Sequence, residues 1–183
     1  MPRMRSPSLL AGAICASLAT TVQASPRQVI LAPPSTEVAV RAYGMGLLPF
    51  DGTFARFHGS LTYDPDDHST CKVDLTIEAA SLAMANTTVH DNMVGPDFLD
   101  VARFPTLTYT GACQAEGLAG MLALRGVTRP FQLALEWSPG RVVAEGHLIR
   151  ADWGMTAMPF VAGRTVRIQV SVQLAQPSHA SLE

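Results

Sequence analysis

Val166-Arg167-Ile168-Gln169-Val170-Ser171-Val172-Gln173-Leu174 alternates without a fault: each even-numbered residue is aliphatic and each odd-numbered one polar. A period of two puts the aliphatic side chains on one face of an extended strand, and that face must be covered for the strand to persist in water. The pattern recurs at 71 to 78, where Cys71, Val73, Leu75 and Ile77 oppose Lys72, Asp74, Thr76 and Glu78. It recurs again at 106 to 113, where Leu107, Tyr109, Gly111 and Cys113 oppose Thr106, Thr108 and Thr110. Further strands are predicted at 36 to 43, 53 to 63, 117 to 125, 130 to 137 and 142 to 150. Turn chemistry separates them at Asp51-Gly52, Asp64-Pro65, Glu116-Gly117 and Ser138-Pro139-Gly140. Eight amphipathic strands bury one face each either by closing into a barrel or by packing as two sheets.

Alternation fails between 81 and 104. There Asn86-Thr87-Thr88 can cap a short helix that Gly95-Pro96 stops, and Asp97 can open a second turn over 98–101 before Phe104-Pro105 leads back into a strand. The fold class read from the chain is therefore all-β, with a short helical insertion between the third and fourth of eight antiparallel strands. An outer-membrane barrel needs aromatic girdles at both edges of its apolar band. Seven Phe, three Tyr and two Trp are too few and too scattered for that, so the apolar face is expected to point inward.

The 183 residues suit one domain, and their bulk properties exclude several function classes. Thirteen Lys+Arg against fifteen Asp+Glu, with Lys72 the only lysine, give no basic field for a nucleic-acid backbone. A chain 48% hydrophobic and 15% charged is too apolar to be disordered, yet no unbroken apolar run reaches the roughly 18 residues of a spanning helix. Residues 1–24 read as an export signal: Arg3 and Arg5, an apolar stretch from Leu9 to Leu18, then Val22-Gln23-Ala24 with small residues at the cleavage positions. Cys15 follows Ile14 rather than a small residue, so no lipid anchor is expected there. Without this segment the chain carries 11 basic and 15 acidic residues and is expected in the periplasm or outside the cell. Its two remaining cysteines, Cys71 and Cys113, share the parity of the apolar face. Either they form a bridge between neighbouring antiparallel strands or they are two buried thiols. Residues 25–35 and 176–183 read as loose ends flanking a domain at 36–175.

Five segments together resemble the YceI-like family of exported, polyisoprenoid-binding, lipocalin-like proteins. They are FARFHGSLTYDPD at 54–66, VDLTIEAASL at 73–82, VHDNMVGPDFLDVARFPTLTY at 89–109, GMLALRGVTRPFQLAL at 120–135 and IRADWGM at 149–155. The resemblance implies a lipocalin-like barrel whose apolar interior holds a long isoprenoid lipid or isoprenoid quinone, and it implies carriage rather than catalysis, with no cofactor. A carrier's partners are then its ligand and, transiently, a membrane surface. A homodimer through an edge strand or the helical insertion is a further arrangement for which the chain carries no signal. The sequence departs from the family's pattern at Tyr43, where a His is common, in the Pro33-Pro34 pair, and in its two cysteines.

Strand parity supplies the candidate ligand-binding set: Val40, Phe57, Leu61, Val73, Leu75, Ile77, Leu107, Tyr109, Leu122, Leu124, Phe131, Leu133, Ile168 and Val170. Val38, Leu135, Val166 and Val172 share that face, and parity alone does not separate a cavity liner from a side chain that fills the barrel. Gly59, Gly111 and Gly120 on the same face either leave room for a lipid chain or mark bends. No metal site is expected, because His58, His68, His90, His147 and His179 fall in different elements without a ligand spacing. His90-Asp91 with Ser81 or Ser60 lacks the elbow that presents a hydrolytic nucleophile. Arg150, at a strand end before Asp152-Trp153-Gly154-Met155, is expected to pair with Asp91 or Asp152 in preference to a ligand headgroup. The rival readings are an enzyme using Tyr109, His90 or Arg150 on an apolar substrate, and a filled scaffold.

Overall fold

The computed structural model describes residues 25–115 and 117–174. In chain order they form β1 (Arg27–Leu31), β2 (Thr36–Gly44), β3 (Leu48–Phe54), β4 (Phe57–Tyr63) and β5 (Cys71–Glu78). A 3-10 turn at Ala79–Ser81 leads to β6 (Leu82–Met84) and α1 (Thr87–Val94). Then follow β7 (Thr106–Gln114), β8 (Gly117–Leu124), β9 (Val127–Ser138), β10 (Arg141–Ile149) and, after a 3-10 turn at Arg150–Trp153, β11 (Thr165–Gln173). All strands belong to one antiparallel sheet in the order β1-β4-β5-β7-β8-β9-β10-β11-β2-β3-β6.

That order curls because the chain itself joins its two ends. β3 pairs with β2 and β6, and β4 pairs with β1 and β5, yet only Ala55-Arg56 separates β3 from β4. Three residue steps span at most about 11 Å, so the sheet must come round on itself into a cup. The Ala55 amide donates to Ser81 O at 3.1 Å and the Glu78 amide to Arg56 O at 3.0 Å, stitching the corner. The apolar parity read from the sequence then lies inside. Leu75, Leu107, Tyr109, Leu122, Phe131, Leu133, Leu148 and Val170 are all buried in one core.

The all-β antiparallel class and the single short helix agree with the sequence, but eleven strands replace the expected eight. The run 53–63 divides at the corner just described, β6 is too short to show a period, and residues 27–31 are no loose end: they are β1, paired with β4 from Arg27↔Tyr63 to Leu31↔Gly59. Asp51-Gly52 is not a turn. It lies within β3, where Asp51 pairs with Arg41 across the register and a Cβ on Gly52 would come within 2.9 Å of Leu82 Cδ1, so glycine admits β6. The turns are instead at Met45-Gly46 and Arg125-Gly126, both pairs with positive φ. The latter closes a two-residue hairpin at Leu124↔Val127. The insertion is as read for α1, with Asn86 Oδ1 accepting from the Val89 amide at 2.9 Å and Gly95 as its C-cap. A turn follows at 98–101 as read, tied back by Leu99 N to Met93 O and Val101 N to Val94 O. Cys71 and Cys113 flank the paired residues Lys72↔Ala112 and are joined by a disulfide with a Cα–Cα distance of 4.8 Å, so the two-thiol alternative falls. The proposed leader, 1–24, and the tail, 176–183, lie outside the described residues.

Candidate functional site, an apolar cavity

The inward strand faces do not meet at the centre of the cup. They leave a cavity of about 240 Å³, and a second void of about 40 Å³ lies toward the disulfide end. Of the residues singled out from parity, Val40, Leu75, Ile77, Leu107, Tyr109, Leu122, Leu124, Phe131, Leu133, Ile168 and Val170 line the larger cavity. Leu61 and Val73 line only the smaller void, and Phe57 is core that borders neither. Leu75, Tyr109, Leu133 and Val170 border both spaces and form the partition between them. At the far end Cys71, Trp137 and Val172 line the smaller void, and the His68 ring stacks on Trp137 at 4.2 Å.

Tyr109 is the polar member of the partition. Its side chain is buried, its hydroxyl lies 3.2 Å from both Leu118 O and Phe131 O, and burial pushes its pKa up to about 12. The ring also accounts for two of the glycines. A Cβ on Gly120 would sit 2.7 Å from Tyr109 Oη, and one on Gly111 2.9 Å, so the room left by these glycines is taken by Tyr109 and not by a ligand. Gly59 lies against the β5 backbone, where a Cβ would fall 2.1 Å from Asp74 O. A tyrosine whose folded pKa is raised keeps its full contribution below pH 10 and loses it as pH climbs toward 12, because the folded chain then holds the proton that the unfolded chain has released. We expect stability to fall by about 2–3 kcal/mol across that window, and Tyr109→Phe to flatten the fall; chemical denaturation at pH 9, 10, 11 and 12 measures both.

Arg150 departs from its expected role. Its side chain is buried at 5% exposure and touches no carboxylate: Nε donates to Gly163 O at 2.8 Å, Nη1 to Met155 O at 2.5 Å, and Nη2 to Ala162 O at 3.1 Å and Met158 O at 3.4 Å. The guanidinium lies 5.5 Å over the Phe98 ring, and burial lowers its pKa. Asp91 instead contacts His90 Nδ1 at 3.0 Å on the exposed face of α1. A fork of donors read by four carbonyls fixes the irregular segment 155–163 over the cavity, a task that a lysine's single ammonium performs poorly. Arg125 acts similarly, donating to Gly154 O and, at 2.6 Å, to Pro96 O, which ties the loop after α1 to the loop after β10.

Parity does not find the mouth of the cavity. Tyr43, Gly44, Phe50, Val89, Asn92, Met93, Phe98, Leu99, Met155, Met158, Val161, Ala162 and Gly163 all line it. They come from the adjoining ends of β2 and β3, from α1 and the turns after it, and from 155–163, where no two-residue period singles them out. Tyr43, Met158 and Val161 are exposed, so the cavity reaches the surface there. The Ser81 hydroxyl donates within its own turn to Glu78 O at 2.7 Å, and to Arg56 O at 3.2 Å. Among the described residues no three His, Cys, Asp or Glu side chains converge as a metal site would require.

The curled antiparallel sheet, its single α-helix among the described residues and its apolar cavity define a β-cup protein of the lipocalin-like kind. The YceI-like domain model matches residues 30–174, and the chain belongs to the YceI-like family. It is 31% identical over 140 residues to the protein YceI of Salmonella arizonae, a match covering 68% of this chain and 73% of that one. Among solved structures, BcnA of Burkholderia cenocepacia superposes with a TM-score of 0.64 at 17% identity, over 76% of this chain and 96% of its own. A polyisoprenoid binding domain from Saccharophagus degradans, implicated in plant cell wall breakdown, gives 0.55 at 13% identity over 81% and 100%. Both likenesses bear out the lipocalin-like fold.

Proposed function

We propose that the protein sequesters or carries an isoprenoid lipid or isoprenoid quinone, with the apolar chain in the cavity, and turns nothing over. The carrying observation is a cavity walled by apolar side chains, in which both Tyr109 and Arg150 are already engaged by backbone carbonyls. An acid–base catalyst needs a polar group free to reach its substrate. A prenyl chain has nothing to hydrogen-bond, so its transfer is driven by area: several hundred square ångströms at about 25 cal/mol per Å² give about 10 kcal/mol before the costs of association. The polyisoprenoid-binding neighbour supports this ligand class, and the segment 1–24 supports action in the periplasm or beyond.

Mass spectrometry of an organic extract of detergent-free protein is expected to find a prenyl lipid or quinone near one per chain, chemically unchanged after prolonged incubation. Val40 and Ile168 face each other across β2 and β11 on the cavity wall. Val40→Trp is expected to fill the space and lower prenyl binding at least tenfold while the fold, followed by circular dichroism, persists. An empty wild-type protein that also refuses added prenyl chains defeats the carrier reading in favour of a filled scaffold; a chemically altered ligand defeats it in favour of an enzyme.

A further inference from the structure

Of the large apolar side chains exposed among the described residues, Ile30, Met121 and Ile149 stand singly on strands, and the others gather on two neighbouring segments. Met45, Leu47 and Leu48 stand on or beside the β2–β3 turn, and Phe160 and Val161 on the segment before β11, with Phe160 exposed at 94% and Leu47 at 85%. The two segments are one unit: the Met45 amide donates to Val161 O and the Gly163 amide to Tyr43 O, each at 2.7 Å, and Gly44 bridges to Ala162. The Arg150 fork holds the second segment from beneath through Met158 O, Ala162 O and Gly163 O. Side chains at loop tips that make no core contact normally turn polar, and an apolar cluster kept there in one fixed unit marks a contact surface.

We propose that this double loop is a membrane-docking lip, which seats the mouth of the cavity on a lipid bilayer surface; it rests on the carrier reading for its purpose but not for its geometry. Three observations select a bilayer as the occupant. The first is continuity, since Tyr43, Gly44, Met158, Val161, Ala162 and Gly163 line the cavity and belong to the same two segments. A prenyl chain crossing this rim passes between hydrocarbon and cavity without meeting water.

The second is the distribution of charge. Residues 42–50 and 153–163 contain no ionisable acid or base apart from the Tyr43 phenol, so no charge has to be taken into hydrocarbon. The third is what frames these runs. Arg41 is neutralised by Asp51 and Arg167 by Glu145. Arg164 ends the second run exposed, with no carboxylate within 4 Å among the described residues, at the level where phosphate headgroups lie once the tips are immersed. An apolar tip with a half-exposed tyrosine and a free cation behind it is the make-up of an interfacial anchor. Among the described residues no helix is long and apolar enough to cross a membrane.

The test uses the full chain and vesicles of phosphatidylethanolamine with phosphatidylglycerol, compared with vesicles of phosphatidylcholine alone. Leu47→Ser with Phe160→Ser is expected to lower partitioning into the anionic vesicles at least tenfold, and Arg164→Ser to lower it several-fold there and little on phosphatidylcholine. Both variants should keep the wild-type capacity for a prenyl chain delivered from cyclodextrin. Because residues 1–24 are themselves apolar, insertion is read locally: Phe160→Trp should gain fluorescence that brominated acyl chains quench beyond the baseline of Trp137 and Trp153. Equal partitioning of the serine double variant, together with an introduced indole that brominated chains fail to quench, overturns the lip. So does a wild-type dimer that the same double variant makes monomeric, which would assign the patch to a second copy of the chain. Vesicle docking without any prenyl binding would instead defeat the carrier reading and leave the lip standing.

Discussion

Replacing Arg150 by methionine is expected to destabilise the protein by about 4 kcal/mol, although the new side chain is of similar length and the site is buried. Each buried carbonyl stripped of its partner costs about 1–3 kcal/mol, and three carbonyls, those of Met155, Ala162 and Gly163, depend on this one guanidinium, whereas Met158 O also accepts from the Val161 and Ala162 amides. Relief of the cation's own desolvation offsets part of the sum. Arg150→Lys should recover less than half, since an ammonium lacks the planar fork that reaches residues 155 and 163 together. Urea midpoints of the three proteins decide it. A methionine variant as stable as wild type would mean that the carbonyls find water, and that the segment over the cavity is organised without the arginine.

Removal of the disulfide by Cys71→Ala with Cys113→Ala is the second large effect. The bond closes a loop across a sequence separation of 42 residues. Restricting the unfolded chain by a loop of that length is worth about 4 kcal/mol on the chain-entropy account. The loop spans the rest of β5, the 3-10 turn at Ala79–Ser81, β6, α1 and β7, so its loss frees a long stretch of the cup's unfolded chain while leaving the native register intact. We therefore expect a lower urea midpoint with a steeper slope, as the unfolded state becomes more open, and little change in the native circular dichroism. The same shift should follow treatment of wild type with dithiothreitol. Equal midpoints with and without the bond would show that it staples an already restricted ensemble.

What is readable in the chain is what a two-residue period encodes. Residues 166–174 and 71–78 carry their burial in their parity, and the cysteines follow from the same parity because each continues an inward face to its end. β1 escapes because Val29-Ile30-Leu31 does not alternate: Ile30 is exposed between a half-buried and a buried neighbour. Asp51-Gly52 misleads because turn chemistry and the clearance needed for a crossing strand call for the same residue. The mouth is unreadable for a related reason. Tyr43, Met158 and Val161 are placed by hydrogen bonds between segments about 115 residues apart, and no local pattern records such a pairing. Arg150 looks like half of an ion pair, but its partners are backbone carbonyls, which every residue possesses and no sequence advertises.

The place of β11 in the sheet constrains the order in which the cup can fold. It is the last of the described strands in chain order, and it lies between β10 and β2, with nine paired positions on one side and six on the other. A nascent chain that ends at Arg164 holds β2 and β10 apart across a gap one strand wide, both presenting unpaired edges. No amount of waiting lets the earlier strands finish without it, since β2 has no other partner on that side. The last strand is thus a keystone: the first residues of the cup and the last must be present together before it can close. The slow, non-local step of folding is the insertion of β11, and until it happens the open edges are exposed to neighbouring chains.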